Sequence, residues 1–187
     1  MWEALSAIGT LLAVIVALGI SLYSSKAGAK ADQDRAELAA AKMLSPISSL
    51  TWKVSGLFAW FAFNSIETED PTAIVLKQID ELDVLASSIT IDSLYPLLKL
   101  PSHAAKRSAR ALGLIHTFTN DVRATLNHPS WRCIGQGQKT TTYEAWAGQL
   151  SEIKDLLEIA EWVCKASAQS GAPRPTSDEI HHNDQGD

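Results

Sequence analysis

The stretch GQGQKT, Gly135 to Thr140, places two glycines and a lysine just before a helical pattern, the composition of a phosphate-binding loop. A Walker loop needs four residues between its glycines and a glycine directly before the lysine, so that backbone N–H groups can wrap the phosphates. Here Gln138 separates Gly137 from Lys139 and no strand pattern precedes the loop. The stretch reads as a flexible loop ahead of a capped helix. Asp80, Glu81 and Asp83 form the densest carboxylate cluster. Two carboxylates divide acid and base roles only where their surroundings push their pKa values apart. These three fall on the polar side of an amphipathic pattern, which describes a solvated face. His116 has no partner at metal-ligand spacing, so it reads as a partly exposed histidine rather than a ligand. His181, His182 and Asp184 could touch a transition metal, but they lie in a polar tail that would first have to be ordered. The sequence therefore nominates no catalytic residue, no cofactor site and no metal site.

Only two cysteines occur, Cys133 and Cys164, outside any Cys-x-x-Cys pairing. That excludes a disulfide scaffold or a zinc ribbon. Two buried thiols are expected in a reducing compartment, and a bridge between them in an oxidising one. Cys164 falls on an apolar helical face, where it acts as a small hydrophobe. The 16 Lys and Arg against 21 Asp and Glu leave a formal net charge of −5, which argues against a nucleic-acid partner. One basic set stands out: Lys99, Lys106, Arg107 and Arg110. The plainer reading is the solvated start of a helix. The sharper one is contact with anionic headgroups.

The elements that carry these residues begin with an apolar run. From Ala4 to Tyr23 the only ionisable group is the tyrosine phenol. A helix of about twenty residues covers roughly 30 Å, the thickness of a hydrocarbon layer. Trp2 and Tyr23 bracket the run, as interfacial aromatics do. A secretory signal is the rival, with Ala27-Gly28-Ala29 as a small-residue cleavage site. The opening Met-Trp-Glu supplies no basic n-region, however, and the run is long for an h-region. Lys26 and Lys30 follow the run and Glu3 precedes it, which places the N-terminus outside and the body in the cytoplasm. Gly9, Ala13, Ala17 and Ser21 recur every four residues, a small-residue face suited to self-association of spans.

Beyond the run, AKADQDRAELAAAKML is rich in good helix formers and predicts a stalk. Ser45-Pro46 is expected to end it and to start a new helix. In that helix Ile47, Leu50, Val54, Leu57, Phe58 and Phe61 share helical spacing, with Trp52, Trp60 and Phe63 on the other side; apolar all round, it is expected to be buried. Asp70-Pro71 opens the next helix, with Val75, Ile79, Leu82 and Leu85 or Ala86 inward. A helical turn in IDSLYPLLKLP follows, and Ser102 is expected to cap a helix ending near Leu126. Its stripe is Ala104, Ser108, Leu112, Ile115, Phe118, Val122 and Leu126. Residues 127–139 read as a loop. Thr141-x-x-Glu144 is a capping box for the last helix, with Leu150, Ile153, Leu157, Ala160 and Cys164 inward. The segment from Gln169 is polar and proline-bearing and reads as disordered.

The fold class expected is all-α: an N-terminal transmembrane anchor over residues 1–23, a juxtamembrane stalk over 24–45, a bundle of about four helices over 46–168 and a disordered tail over 169–187. The WEALSAIGTLLAVIVALG anchor followed by a helical body of this size resembles small single-pass inner-membrane proteins of bacteria and prophages. That resemblance is one of architecture. It implies a bacterial inner membrane and transfers no site residue. Membrane lipid, a protein partner and a further copy of the chain are the expected partners. The functions that fit are a non-catalytic interaction or recruitment module or, alternatively, a membrane-acting phage lysis or defence component that assembles through its span.

Overall fold

The computed structural model describes residues 2–63 and 71–176, with side chains from residue 15 onward. Every regular element among the described residues is helical. Five α-helices, α1 (Trp2–Phe63), α2 (Thr72–Ser87), α3 (Ile91–Leu94), α4 (Ala104–Asn127) and α5 (Gln136–Gly171), are joined in part by short 3-10 turns. The chain divides into two compact units, Met1–Arg35 and Ala36–Asp187. The second is a helical bundle.

The expected break at Ser45-Pro46 does not occur, because α1 continues through Pro46. Proline removes the N–H that would bond the carbonyl four residues back and crowds that carbonyl. Burial on both sides outweighs this: Met43, Ile47 and Leu50 all face the core. The packed unit also starts earlier than expected. Ala36 and Ala40, placed in the stalk by sequence, are fully buried in the bundle. Their small side chains fit a close helix approach.

Burial follows the expected apolar periodicity in most places. Val75, Ile79, Leu82 and Ala86 line the inner face of α2, and Leu150, Ile153, Leu157, Ala160 and Cys164 that of α5. On α4 the expected stripe is buried except that Leu112 is half-buried, and Ala105, Ala111 and Thr119 are buried beside it. The expectation of all-round burial for residues 47–63 fails. Ile47, Leu50, Val54, Leu57 and Phe61 are buried, whereas Trp52 and Phe63 are exposed. The core takes one face of α1 there and leaves the other open.

Residues 127–139 are more ordered than a plain loop. A 3-10 turn over Pro129–Arg132 drives Trp131 into the core. There it joins Phe61, Phe118, Tyr143 and Trp146 in a cluster of tilted and edge-on rings, with centroids 5.3–6.3 Å apart. Such pairs contribute about 0.5–1.5 kcal/mol each beyond area burial.

Three helix starts differ from expectation. Asp70 lies outside the described residues, and α2 starts behind Pro71, whose carbonyl accepts the Val75 N–H. Ser102 does not cap α4. It and His103 both take φ of 54° in the left-handed region, and α4 starts at Ala104. The Ser102 carbonyl accepts instead from Arg107 Nε at 2.8 Å. The Thr141 capping box is likewise absent, since α5 starts earlier, at Gln136 behind Gly135, and takes in the GQGQKT stretch. Thr140, Thr141 and Thr142 each donate their hydroxyl to the carbonyl four residues back. At the other end α5 reaches Gly171, into the segment expected to be disordered. A Cβ there would lie 2.7 Å from Glu37 Oε2, so the close pass to α1 favours glycine.

Among the described residues, which include Ile15 to Tyr23 of the expected span but not the side chains of residues 1–14, no helix is long and apolar enough to cross a membrane.

Candidate functional site

The open face of α1 borders a groove whose other wall is α2. Trp60 shares a hollow with Ile74, Lys53 meets Gln78 and Glu81, and Ser48 shares a hollow with Val84, so the two walls run in opposite directions. The larger hollow holds about 850 Å³ and is lined by Ser48, Ser49, Trp52 and Lys53 of α1 and by Lys77, Asp80, Glu81, Val84 and Leu85 of α2. The smaller, about 250 Å³, continues the groove past Trp52 and Lys53 to Gly56, Leu57, Trp60, Ile74, Val75 and Gln78. From Ser48 to Trp60 the helical rise makes the groove roughly 18 Å long, about three turns of a helix. Ile74 and Val84 are exposed at its rim, and Trp52, midway, is 78% exposed. Leaving so large an aromatic surface in water forgoes burial worth about 25 cal/mol per Å².

Apart from the exposed Lys77, the charges at this seam are matched within the protein. The Lys53 ammonium, its side chain only 11% exposed, donates to Gln78 Oε1 and Glu81 Oε2. That hydrogen bond and the Lys53 charge, with a smaller contribution from Lys77, hold the Glu81 carboxyl below the usual carboxylate range. Arg123 of α4 reaches Asp80 at 2.9 Å and Asp83 at 3.0 Å. The hydrogen bond to Asp80, followed by that to Asp83 and the charges of both, outweighs desolvation and raises the guanidinium pKa further. His116 Nδ1 stands 3.7 Å from Asp83. The carboxylate cluster is therefore more than a solvated face: it clamps α2 to α1 and to α4. This leaves the groove with apolar walls and few unmatched charges, suited to taking an apolar helix face rather than to acid–base work.

The remaining sequence candidates fall elsewhere. Trp2, Gly9 and Ala13 lie outside the described side chains, while Ala17, Ser21 and Tyr23 are exposed on α1. His181, His182 and Asp184 lie outside the described residues. Among the described residues no group of three or more His, Cys, Asp or Glu is placed to hold a metal ion. Lys99 and Lys106 are exposed, Arg107 is held by the Ser102 carbonyl, and Arg110 pairs with Glu152. Both cysteines are free thiols, and the expectation that both are buried holds only for Cys164, since Cys133 is exposed. Burial, helped by the nearby Glu161 charge, pushes the Cys164 thiol up to about 11.

Sequence reasoning missed the groove. The available signal was the apolar residues that lie off the core stripes, Trp52, Ile74 and Val84, but periodicity alone assigns them to no partner.

No family model matches this chain, and no curated protein or solved structure is significantly similar to it.

Proposed function

We propose that this chain is a single-pass, membrane-anchored recruitment module without catalysis, its anchor in residues 1–23 and its bundle holding an apolar helix face of a protein partner. The orientation that the flanking charges favour puts the N-terminus outside a bacterial inner membrane and the bundle in the cytoplasm. The observation that carries the reading is the α1–α2 groove: three helical turns long, apolar in its walls, with the exposed Trp52 at its centre. Exposed tryptophan beside a hollow is the composition of an interface anchor. The carboxylates and cations that could do chemistry are engaged with one another, which supports a binding role. The apolar run from Ala4 to Tyr23 supports the anchor.

Photo-crosslinking in intact cells tests the groove. A photoreactive amino acid replaces Trp52 in one variant and the exposed Trp162 of α5, outside the groove, in another. A discrete protein adduct from position 52 and none from 162 is the expected result. Equal adducts from both positions, or none from 52, would overturn the groove reading. Paired C-terminal fusions test the anchor: a fluorescent protein that matures in the cytoplasm and a phosphatase active only outside it. Fluorescence in a membrane fraction released only by detergent is expected; phosphatase activity would reverse the orientation.

A further inference from the structure

At the end of the bundle where α3 leads into α4, the chain exposes a second apolar row. From Leu94 it winds with about three residues per turn, so residues three apart stack above one another. Leu94, Leu97 and Leu100 stack inward and are buried. Tyr95 and Leu98 stack on the neighbouring line and face water, 71% and 48% exposed. Ile91, 68% exposed, precedes Tyr95 by one helical turn and extends the same line. The core is already filled by the leucine line, so this row has no partner within the bundle.

Cations follow the row in the chain. Lys99 follows Leu98 directly and is exposed. Lys106 is exposed with no carboxylate within ion-pair distance among the described residues. The Ser102 carbonyl holds Arg107 through Nε at 2.8 Å, which fixes the guanidinium at the chain reversal without neutralising it. The charge of Arg110 is matched by Glu152. Asp92 is the acid of α3 and is also exposed. The 3-10 turns and α3 all pack on α4, so row and cations belong to one end of the bundle.

We propose that this end docks on an anionic lipid surface. Ile91, Tyr95 and Leu98 enter the headgroup boundary, and Lys106 and Arg107 meet phosphate groups. An apolar row alone would fit many partners. The adjoining excess of cations selects a surface that is apolar beneath and anionic above, and a tyrosine in the row suits that boundary. The proposal goes beyond the anchored-module reading, because it needs lipid at this surface whether or not the N-terminal helix spans.

The test uses the full chain carrying Leu98→Cys in a Cys133→Ser background, labelled with an environment-sensitive fluorophore. Cys164 is buried and stays unlabelled. Vesicles are phosphatidylcholine alone or with added phosphatidylglycerol. A blue shift and quenching by brominated acyl chains, seen only with phosphatidylglycerol, is expected. Charge reversal by Lys106→Glu with Arg107→Glu should weaken that signal on the order of ten-fold or more, since each cation strengthens partition about five-fold. Tyr95→Asp should also abolish it with circular dichroism unchanged. A label that stays in water on anionic vesicles would overturn the proposal, as would an equal shift with a soluble polyphosphate. Flotation with phosphatidylcholine alone reports on the anchor separately. A chain that floats while its label stays in water loses this surface and keeps the anchor. One that fails to float yet shifts on phosphatidylglycerol keeps this surface and loses the anchor.

Discussion

The indole N–H of Trp146 donates to Asp121 Oδ2 at 2.8 Å, joining the aromatic core to the outer edge of α4. Trp146 is 2% exposed, so its N–H has no ready access to water if the acceptor goes. Asp121→Ala should therefore destabilise the bundle by about 1–3 kcal/mol, the cost of an unsatisfied buried donor. Asp121→Asn keeps an acceptor and should cost less. Urea denaturation followed by tryptophan fluorescence measures both.

Lys53 and Glu81 make the bundle acid-sensitive in a defined direction. The folded state holds the Glu81 carboxyl below its ordinary value, chiefly through the Lys53 hydrogen bond and charge. The resulting stability is present above the unfolded pKa of about 4.3 and is lost as pH falls through the folded value. Glu81→Gln should flatten that part of the acid limb and leave stability at neutral pH less dependent on salt. Thermal melts from neutral to acid pH show it.

Cys164 gives the opposite slope. Its thiol is raised to about 11 by burial, so the folded state keeps a proton that the unfolded chain releases near pH 8.5. Stability should be unaffected below that value and should fall as pH rises from there toward about 11. In native protein at pH 8 a thiol reagent should modify Cys133 quickly and Cys164 only after denaturant is added. Two equally fast thiols would contradict the placement of Cys164.

Ser108 Oγ is buried and has no hydrogen-bond partner among the described residues. The two buried threonine hydroxyls bond carbonyls of their own helices, Thr51 to Ile47 and Thr119 to His116. Ser108→Ala removes a desolvated group at almost constant volume. It should leave stability unchanged or raise it by up to about 1 kcal/mol. A loss of more than that in chemical denaturation would show that the hydroxyl has a partner.

Pro46 sits within an uninterrupted helix, where proline costs up to about 3 kcal/mol relative to alanine. Pro46→Ala restores the N–H that can bond the Lys42 carbonyl. The midpoint of thermal unfolding should rise and helical circular dichroism should not fall. A drop in stability would mean that a chain break at this position is part of the native state.

Where apolar side chains recur on one face, the helices and their inward residues were legible. Val75, Ile79 and Leu82 on α2 and Leu150, Ile153 and Leu157 on α5 are the examples. Burial of a stripe is a local consequence of spacing. Helix ends were harder to read, because they depend on competition. Thr141 has cap chemistry, yet it lies inside α5 and bonds the Gly137 carbonyl; Pro46 has break chemistry, yet packing of Met43 and Ile47 carries the helix through it. Trp131 was hidden in a loop reading because no period marks a single aromatic that a short turn drives inward.

The sequence by itself determined an all-α fold class, the register of most core faces and the absence of any local catalytic motif. It also bounded the partners, through net negative charge, a long apolar run near the N-terminus and one basic set. Only the tertiary structure decided that Asp80, Glu81 and Asp83 act as clamps, that Trp52 faces water beside a groove, and that Ile91, Tyr95 and Leu98 form an exposed row. Each of these depends on residues distant in the chain: Lys53 and Arg123 reach the carboxylates from other helices, and α2 supplies the groove's second wall. The leucine line is buried because α4 packs over it, leaving the adjacent line in water. Spacing along one helix specifies which residues share a face, but what meets that face depends on the other helices.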